Sequence, residues 1–233
     1  MDPQNVKRVA VIGAGVMGHS IAQVFAQAGI AVHLVDLKNE LLAHALRLVK
    51  ANLQTLAEYG RMNSQESPAI LERIRPMTDL ASAVKEVDFV LEAVAEIPEV
   101  KKKVFAQLEA ACPGRTVLAS NTSGLEIFKI IEVKDPSRVV VTHWFAPPHI
   151  IPLVEVVPGP ATAPDVLQFT AALMERIGKK PLVMKQFVKR FIVNRIQNAM
   201  ISAAMEMMRN GWATPDQIDL AVKTSLGIRL PIV

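Results

Sequence analysis

Gly13, Gly15 and Gly18, followed by Asp36, stand at a spacing that suits recognition of a phosphate-bridged ligand. The β-branched run at residues 9–12 precedes Gly13 and suits a strand buried on both faces of a parallel sheet. Gly13 makes the turn, Gly15 lets the backbone approach a pyrophosphate, and Gly18 lets the following helix pack on the strand, each because a Cβ there would collide. Together with Val16 and Met17 they open a helix whose free N–H groups point at the phosphates. Residues 31–35 form a second buried strand, and Asp36 at its end can accept both hydroxyls of a ribose. Strand, glycine turn, helix, strand and acid in this order describe a dinucleotide site, the alternative being a purely structural turn. A 2′-phosphate would lie against the Asp36 charge and no arginine follows directly, although Lys38 is close by, so NAD is favoured over NADP.

A second group of reactive types lies further along. Ser120, Asn121, Thr122 and Ser123 follow a predicted strand, His143 ends the next, and Glu155 lies within the one after that. In an open sheet, ligands bind at the carboxyl ends of strands. The prolines at 147, 148 and 152 can fold the Glu155 strand back alongside His143. A buried carboxylate beside an imidazole orients one ring nitrogen and raises the basicity of the other, as a general base for an alcohol proton requires. The competing reading of His143 alone is a hydrogen-bonded core histidine.

The elements that must carry these residues follow from periodicity. Strands are expected at 88–93, 116–120, 138–144, 153–157 and 181–184, with helices at 99–111 and 164–176 between them. Residues 39–73 read as a helical hairpin projecting from the sheet, its first helix capped by Asn39, either a decorative insertion or a clamp over a substrate arm. From residue 186 the pattern is helical: an apolar helix at 191–209, ended by Asn210 and Gly211, then a helix started by Thr214 and Pro215. The fold class is therefore α/β: a doubly wound, Rossmann-type, mostly parallel sheet over residues 1–185 with the hairpin insertion, then a partial all-α C-terminal domain at 186–233. Two helices and the apolar tail at 230–233 enclose little core, so the chain reads as a truncated form.

Composition excludes several classes. With 51% hydrophobic and 21% charged residues the 233-residue chain builds a core, and disorder is expected only at residues 1–7. No apolar stretch reaches the roughly 20 residues that span a bilayer. The N-terminus leaves no room for a signal peptide before the first strand, and Cys112 is the single cysteine, so a reducing, cytoplasmic setting is expected. His19, His33, His44, His143 and His149 show no metal-ligand spacing. The net charge of +4 is dispersed and aromatic stacking platforms are few, which argues for an anionic small molecule and against nucleic acid.

Five motifs now stand in order: VIGAGVMG at 11–18, EAVAE at 92–96, SNTS at 120–123, HWFAPPHIIPLVEVV at 143–157 and FIVNRI at 191–196. In these the chain resembles the NAD-dependent L-3-hydroxyacyl-CoA dehydrogenases, a family with 3-hydroxybutyryl-CoA, lambda-crystallin and L-gulonate dehydrogenase relatives. The resemblance implies that His143 is the catalytic base and Glu155 its orienting partner. It further implies that Ser123 and Asn194 hydrogen-bond the substrate's 3-oxygen, and that Glu96, Lys101 and Ser120 contact the nicotinamide half of NAD. Without the resemblance, Ser123 reads as a turn or cap residue, Asn194 as a mid-helix polar residue, and Lys101 as part of a solvated run with Lys102 and Lys103. Ala146 departs from the family's usual asparagine, and Lys189-Arg190 from its Pro-Gly. The implied activity is reversible oxidation of a short 3-hydroxyacyl-CoA, with Asn52 and Tyr59 near expected CoA contacts and with homodimerisation through a complete C-terminal domain. Alternatives are a free 3-hydroxy acid as substrate, such as a sugar acid or carnitine-like compound, and a non-catalytic NAD-binding protein.

Overall fold

The computed structural model describes residues 2–230, and the chain divides after Lys189 into two compact units. The first is built on an eight-stranded sheet of β1 (Arg8–Ile12), β2 (Ala31–Val35), β3 (Ile74–Met77), β4 (Phe89–Glu92), β5 (Val117–Ser120), β6 (Val139–Trp144), β7 (Leu153–Pro158) and β8 (Lys180–Val183). The spatial order is β3-β2-β1-β4-β5-β6-β7-β8. All neighbours pair in parallel except β6 and β7, which are antiparallel. The helices of this unit are α1 (Gly18–Gln27), α2 (Asn39–Glu58), α3 (Ser67–Glu72), α4 (Leu80–Val84), α5 (Pro98–Ala111), α6 (Ile127–Ile130) and α7 (Pro164–Arg176). The doubly wound α/β class read from the sequence is the class observed.

Alternation along the strands sorts side chains onto two faces. Val9, Val11, Val32, Leu34, Phe89 and Leu91 share one core cluster with residues of α1, α2, α3 and α7. The alternate positions look toward α4 and α5: His33 Nδ1 meets the Ala83 carbonyl of α4 at 2.6 Å, and Glu92 meets Lys101 of α5. By the same alternation Glu92, Ser120, His143 and Glu155 lie on this second face, all at one end of the sheet.

Several expectations are corrected. The two helices at 39–73 exist but do not project: Leu42, Ala45, Val49 and Leu53 recur at helical spacing and are buried in the core cluster beside α1. Each large apolar side chain so buried contributes about 1.5–3 kcal/mol relative to exposure. Lys38, not Asn39, occupies the cap position of α2, and no side chain caps that end. Edge strand β3 and helix α4 escaped the periodicity because β3 contains Pro76 and buries only Ile74, leaving no apolar run. The expected disorder at the N-terminus does not extend over residues 2–7: Asp2 caps a short helical turn (Pro3–Asn5), Val6 is buried, and the Lys7 N–H donates to Asp88 at 3.0 Å.

The second unit holds α8 (Val193–Arg209) and α9 (Pro215–Ala221), which runs on through a wider helical stretch (Val222–Leu226) into α10 (Gly227–Arg229). Asn210 caps α8, Gly211 takes φ +68°, and Thr214 and Gln217 form a reciprocal capping box that starts α9, as expected. Helix α8 begins at Val193 and not at 191, because Arg190 (φ +67°) and Phe191 (φ +51°) take left-handed backbone. That conformation explains a glycine preference at position 190, where a β-carbon costs about 1 kcal/mol. None of the α8 residues is buried, and Ile196, Met200, Ile201 and Met205 are exposed. Of the apolar tail, Leu230 is exposed, and residues 231–233 lie outside the described residues.

Candidate active site

The glycine turn has a division of labour that the sequence did not disclose. A Cβ on Gly13 (φ +101°) would lie 2.6 Å from the Ala93 carbonyl oxygen, and one on Gly18 would lie 1.7 Å from the Gly13 carbonyl oxygen. The Gly18 constraint is thus chiefly against the turn and less against the strand. A Cβ on Gly15 meets nothing within 4 Å apart from its chain neighbours, so the protein itself supplies no collision there and the space is open to a ligand. Gly15→Ala is accordingly expected to leave the unfolding free energy within about 0.5–1 kcal/mol of the parent while weakening NADH binding, read by fluorescence titration. Unchanged binding would remove Gly15 from the site.

Met17 precedes α1 without a side-chain cap, the His19 N–H of the first turn donates to the Gly15 carbonyl at 3.3 Å, and Val16 is exposed at this helix start, the end of a helix that suits a phosphate. The Asp36 carboxylate is fixed by the Ala14 N–H (2.7 Å to Oδ2) and the Leu37 N–H (2.7 Å to Oδ1). A carboxylate accepts about four hydrogen bonds, so roughly two remain for the two hydroxyls of a ribose. Gly13, Gly15 and Asp36 line a cleft of about 860 Å³ whose other walls include Ala93, Val94 and Val100. Volume, open glycine and unspent acceptors fit a dinucleotide.

Next along the strand ends is a network around Glu92. Register places Ile12 beside Glu92 and Glu92 beside Ser120. Glu92 Oε1 accepts from Lys101 Nζ at 2.6 Å and from the Val94 N–H at 2.9 Å, and Oε2 accepts from the Ser120 hydroxyl at 2.6 Å. Lys101 also pairs with Glu96 at 3.2 Å. The reading of Lys101 as one of a solvated run is overturned: its side chain is 1% exposed, while Lys102 and Lys103 face solvent. Lys101, Phe105 and Leu108 form the buried stripe of α5 at helical spacing, a signal legible in the sequence. Glu92 itself was missed as a site residue, although a carboxylate ending a buried strand was the available clue.

Glu96 accepts from the Thr122 hydroxyl (2.6 Å) and from the Ser123 and Gly124 N–H groups (2.9 and 3.2 Å). Burial works to raise its pKa, but the Thr122 bond, the Lys101 charge and the Ser123 N–H outweigh it and hold the carboxyl below the ordinary glutamate range. The stabilisation from this depressed group is present above its unfolded pKa and is lost as pH falls through the folded value.

Ser120 pairs with Val141, two residues before His143 on the same face. Across the antiparallel β6–β7 pair, His143 stands opposite Glu155, and His143 Nδ1 lies 2.7 Å from Glu155 Oε2. Glu155 is 0% exposed and His143 is nearly buried. With Nδ1–H donated to the carboxylate, Nε2 is the acceptor nitrogen of the ring, a tautomer assigned from the bond. The His143 ring also meets Phe145 edge-on at 4.6 Å. Asn121 Oδ1 accepts the Trp144 N–H at 2.9 Å and so ties the end of β5 to the end of β6.

Ser123 is exposed in the turn after β5, its N–H held by Glu96. Asn194 lies in the first turn of α8, in the second unit, and is partly exposed, so the mid-helix reading does not hold. Among the described residues no group of His, Cys, Asp and Glu could hold a metal ion. Cys112 is no nucleophile at neutral pH, since burial pushes its thiol up to about 11.

Known proteins share this architecture. Residues 8–187 match the family model for the NAD-binding domain of 3-hydroxyacyl-CoA dehydrogenase, and residues 191–233 match that for its C-terminal domain. The chain is 39% identical to 3-hydroxyadipyl-CoA dehydrogenase of Escherichia coli over 96% of its own length and 47% of that protein. It is 36% identical to L-carnitine dehydrogenase of Streptomyces griseus, over 99% of this chain and 68% of the relative. The crystal structure of 3-hydroxybutyryl-CoA dehydrogenase from Escherichia coli superposes with a TM-score of 0.89 at 39% identity, over 94% of this chain and 46% of that one. The chain thus spans about half the length of its Escherichia coli relatives. The two family models abut where the two structural units do, and the chain belongs to the 3-hydroxyacyl-CoA dehydrogenase family.

Proposed function

We propose that this chain carries out the NAD-dependent, reversible oxidation of a short L-3-hydroxyacyl-CoA to the 3-ketoacyl-CoA. The observation that carries the reading is the buried His143–Glu155 pair at 2.7 Å, on the face and at the sheet end where the dinucleotide cleft opens. Bound NAD supplies the acceptor for the hydride that leaves C3. His143 Nε2 takes the hydroxyl proton, and Glu155 holds the ring in the receptive tautomer and stabilises the imidazolium that forms. In the reverse direction His143⁺ returns the proton to the carbonyl oxygen. Ser123 and Asn194 hydrogen-bond the 3-oxygen, and Glu96, Lys101 and Ser120 receive the nicotinamide half, with Gly13, Gly15, Val16, Met17, Gly18 and Asp36 holding the rest of the cofactor. On the same reading the enzyme is cytoplasmic and works as a homodimer when its C-terminal domain is complete. No helix among the described residues is long and apolar enough to cross a membrane.

One observation favours a second substrate class. Asn52, near an expected CoA contact, already donates its amide to Gln23 Oε1 at 3.0 Å, and Arg73 donates to the Ala26 carbonyl at 3.4 Å. Both leave less of the α2 and α3 region for a CoA arm and fit a free 3-hydroxy acid. NADH consumption with acetoacetyl-CoA, compared with free acetoacetate and 3-dehydrocarnitine, separates the two. Turnover of the thioester supports the first reading, and turnover of a free acid without affinity for CoA replaces it.

A further inference from the structure

Residues 145–152 join the His143 strand to the Glu155 strand, and they are held from two sides on the sheet face opposite those residues. On one side stands Ser20, in the first turn of α1 and 1% exposed. The His149 N–H donates to Ser20 Oγ at 3.1 Å, and His149 Nδ1 lies 2.7 Å from the same oxygen. Ser20 Oγ accepts the main-chain N–H, and its own proton turned to Nδ1 matches a neutral His149 whose ring proton is on Nε2. Burial, with the nearby His19 and Lys179, lowers the His149 pKa in the same sense. On the other side stands Lys179, 8% exposed, whose ammonium donates to the carbonyls of Pro148 (2.5 Å) and Ile151 (3.0 Å) and lies 5.4 Å from the Trp144 ring centroid. The Trp144 ring packs on Phe25 of α1, with centroids 6.1 Å apart.

The turn closes without these groups, because the Ile150 and Ile151 N–H groups both donate to the Pro147 carbonyl at 3.0 Å. A buried hydroxyl and a buried ammonium are costly additions to a connection that is already closed. What they add is place. They fix the loop against the helix that opens with the glycine fingerprint and against the start of β8.

We propose that Ser20, His149 and Lys179 are positioning residues that couple dinucleotide binding at the start of α1 to the geometry of the His143–Glu155 pair. The first turn of α1 is the element that phosphate orders, and Ser20 lies in it. Through His149 that ordering reaches the loop, and the loop sets how β6 and β7 present His143 and Glu155 to one another. The coupling rests on the reading of His143 and Glu155 as the acid–base pair.

The test is hydrogen–deuterium exchange of the whole chain with and without NADH, in the parent, Ser20→Ala, His149→Asn and His149→Phe, alongside steady-state kinetics. In the parent, NADH is expected to slow exchange in α1 and in residues 145–152 together. In Ser20→Ala the α1 protection stays and the loop protection is lost, with kcat down about tenfold and NADH affinity changed less than about threefold. His149→Asn, whose Oδ1 can accept the Ser20 proton in place of Nδ1, keeps most of both, whereas His149→Phe behaves like Ser20→Ala. Loop protection and kcat that survive in Ser20→Ala, or an Asn variant as defective as the Phe variant, overturn the proposal. The partly exposed position of His149 keeps its two variants informative should Ser20→Ala fold poorly. A parent that binds NADH but turns over no substrate would remove the catalytic reading, while the exchange pattern would still decide the coupling.

Discussion

His143→Gln is expected to lower kcat by about 10²–10⁴-fold, the range over which a positioned general acid–base group acts, while NADH binding stays within a factor of about two to three. Glutamine can still donate from its amide to Glu155 Oε2, so the buried carboxylate keeps a partner in place of the 2.7 Å imidazole bond. What disappears is the ring nitrogen that takes the substrate's proton. His143 lies on β6, two residues beyond the Ser120–Val141 pairing, and the glycine turn and Asp36, proposed to hold the other end of the cofactor, follow β1 and β2. Binding and proton transfer therefore draw on different strands and should separate in the mutant. NADH titration by fluorescence, next to initial rates with acetoacetyl-CoA, reads both quantities. A variant that keeps more than about a third of the parental kcat would exclude His143 as the base.

Lys101→Met should cost about 3–5 kcal/mol of unfolding free energy, the penalty for leaving one member of a buried ion pair uncompensated. Glu92 is 0% exposed, and without the ammonium its charge would rest on the Val94 N–H and the Ser120 hydroxyl alone. Methionine fills similar space, so a cavity is not the cause of the loss. The double variant Glu92→Gln with Lys101→Met should recover most of the stability, because paired removal of both charges avoids the stranded carboxylate. Urea unfolding of the parent, the single variant and the double variant measures the cycle. A single-variant loss below about 1 kcal/mol would mean that solvent reaches Glu92 when Lys101 is gone. NADH affinity is expected to fall in both variants on the proposal that Glu96, Lys101 and Ser120 receive the nicotinamide half of the cofactor.

The β1–α1–β2 unit was legible because each step is local: a β-branched run, glycines where the turn or a ligand forbids a Cβ, and an acid at the next strand end. The helix boundaries of α7 and the start of α9 were legible for the same reason, being set by Pro164 and by the Thr214 and Pro215 signals. Edge strand β3 was not, since its stability comes from pairing Val32 with Ile74 and not from an apolar run of its own. Without the family resemblance Lys101 reads as solvated, because a run of three lysines looks so until the helix phase is known, and the phase turns one of the three inward.

Residue types and their order along the chain were enough for the fold class, the NAD fingerprint and the choice of His143 and Glu155 as partners. Their contact was a tertiary decision. A connection spanning residues 145–152 is too long for turn chemistry to dictate register, and a one-residue slip would send Glu155 to the opposite face of the sheet. The structure settles the register by burying both β6 and β7 on two sides and by tying the loop between them to Ser20, 129 residues away from His149. Glu92 gained its place in the same way, through strand pairing and the phase of α5. Local preference names candidates; burial and register, which depend on what packs against each face, choose which of them meet.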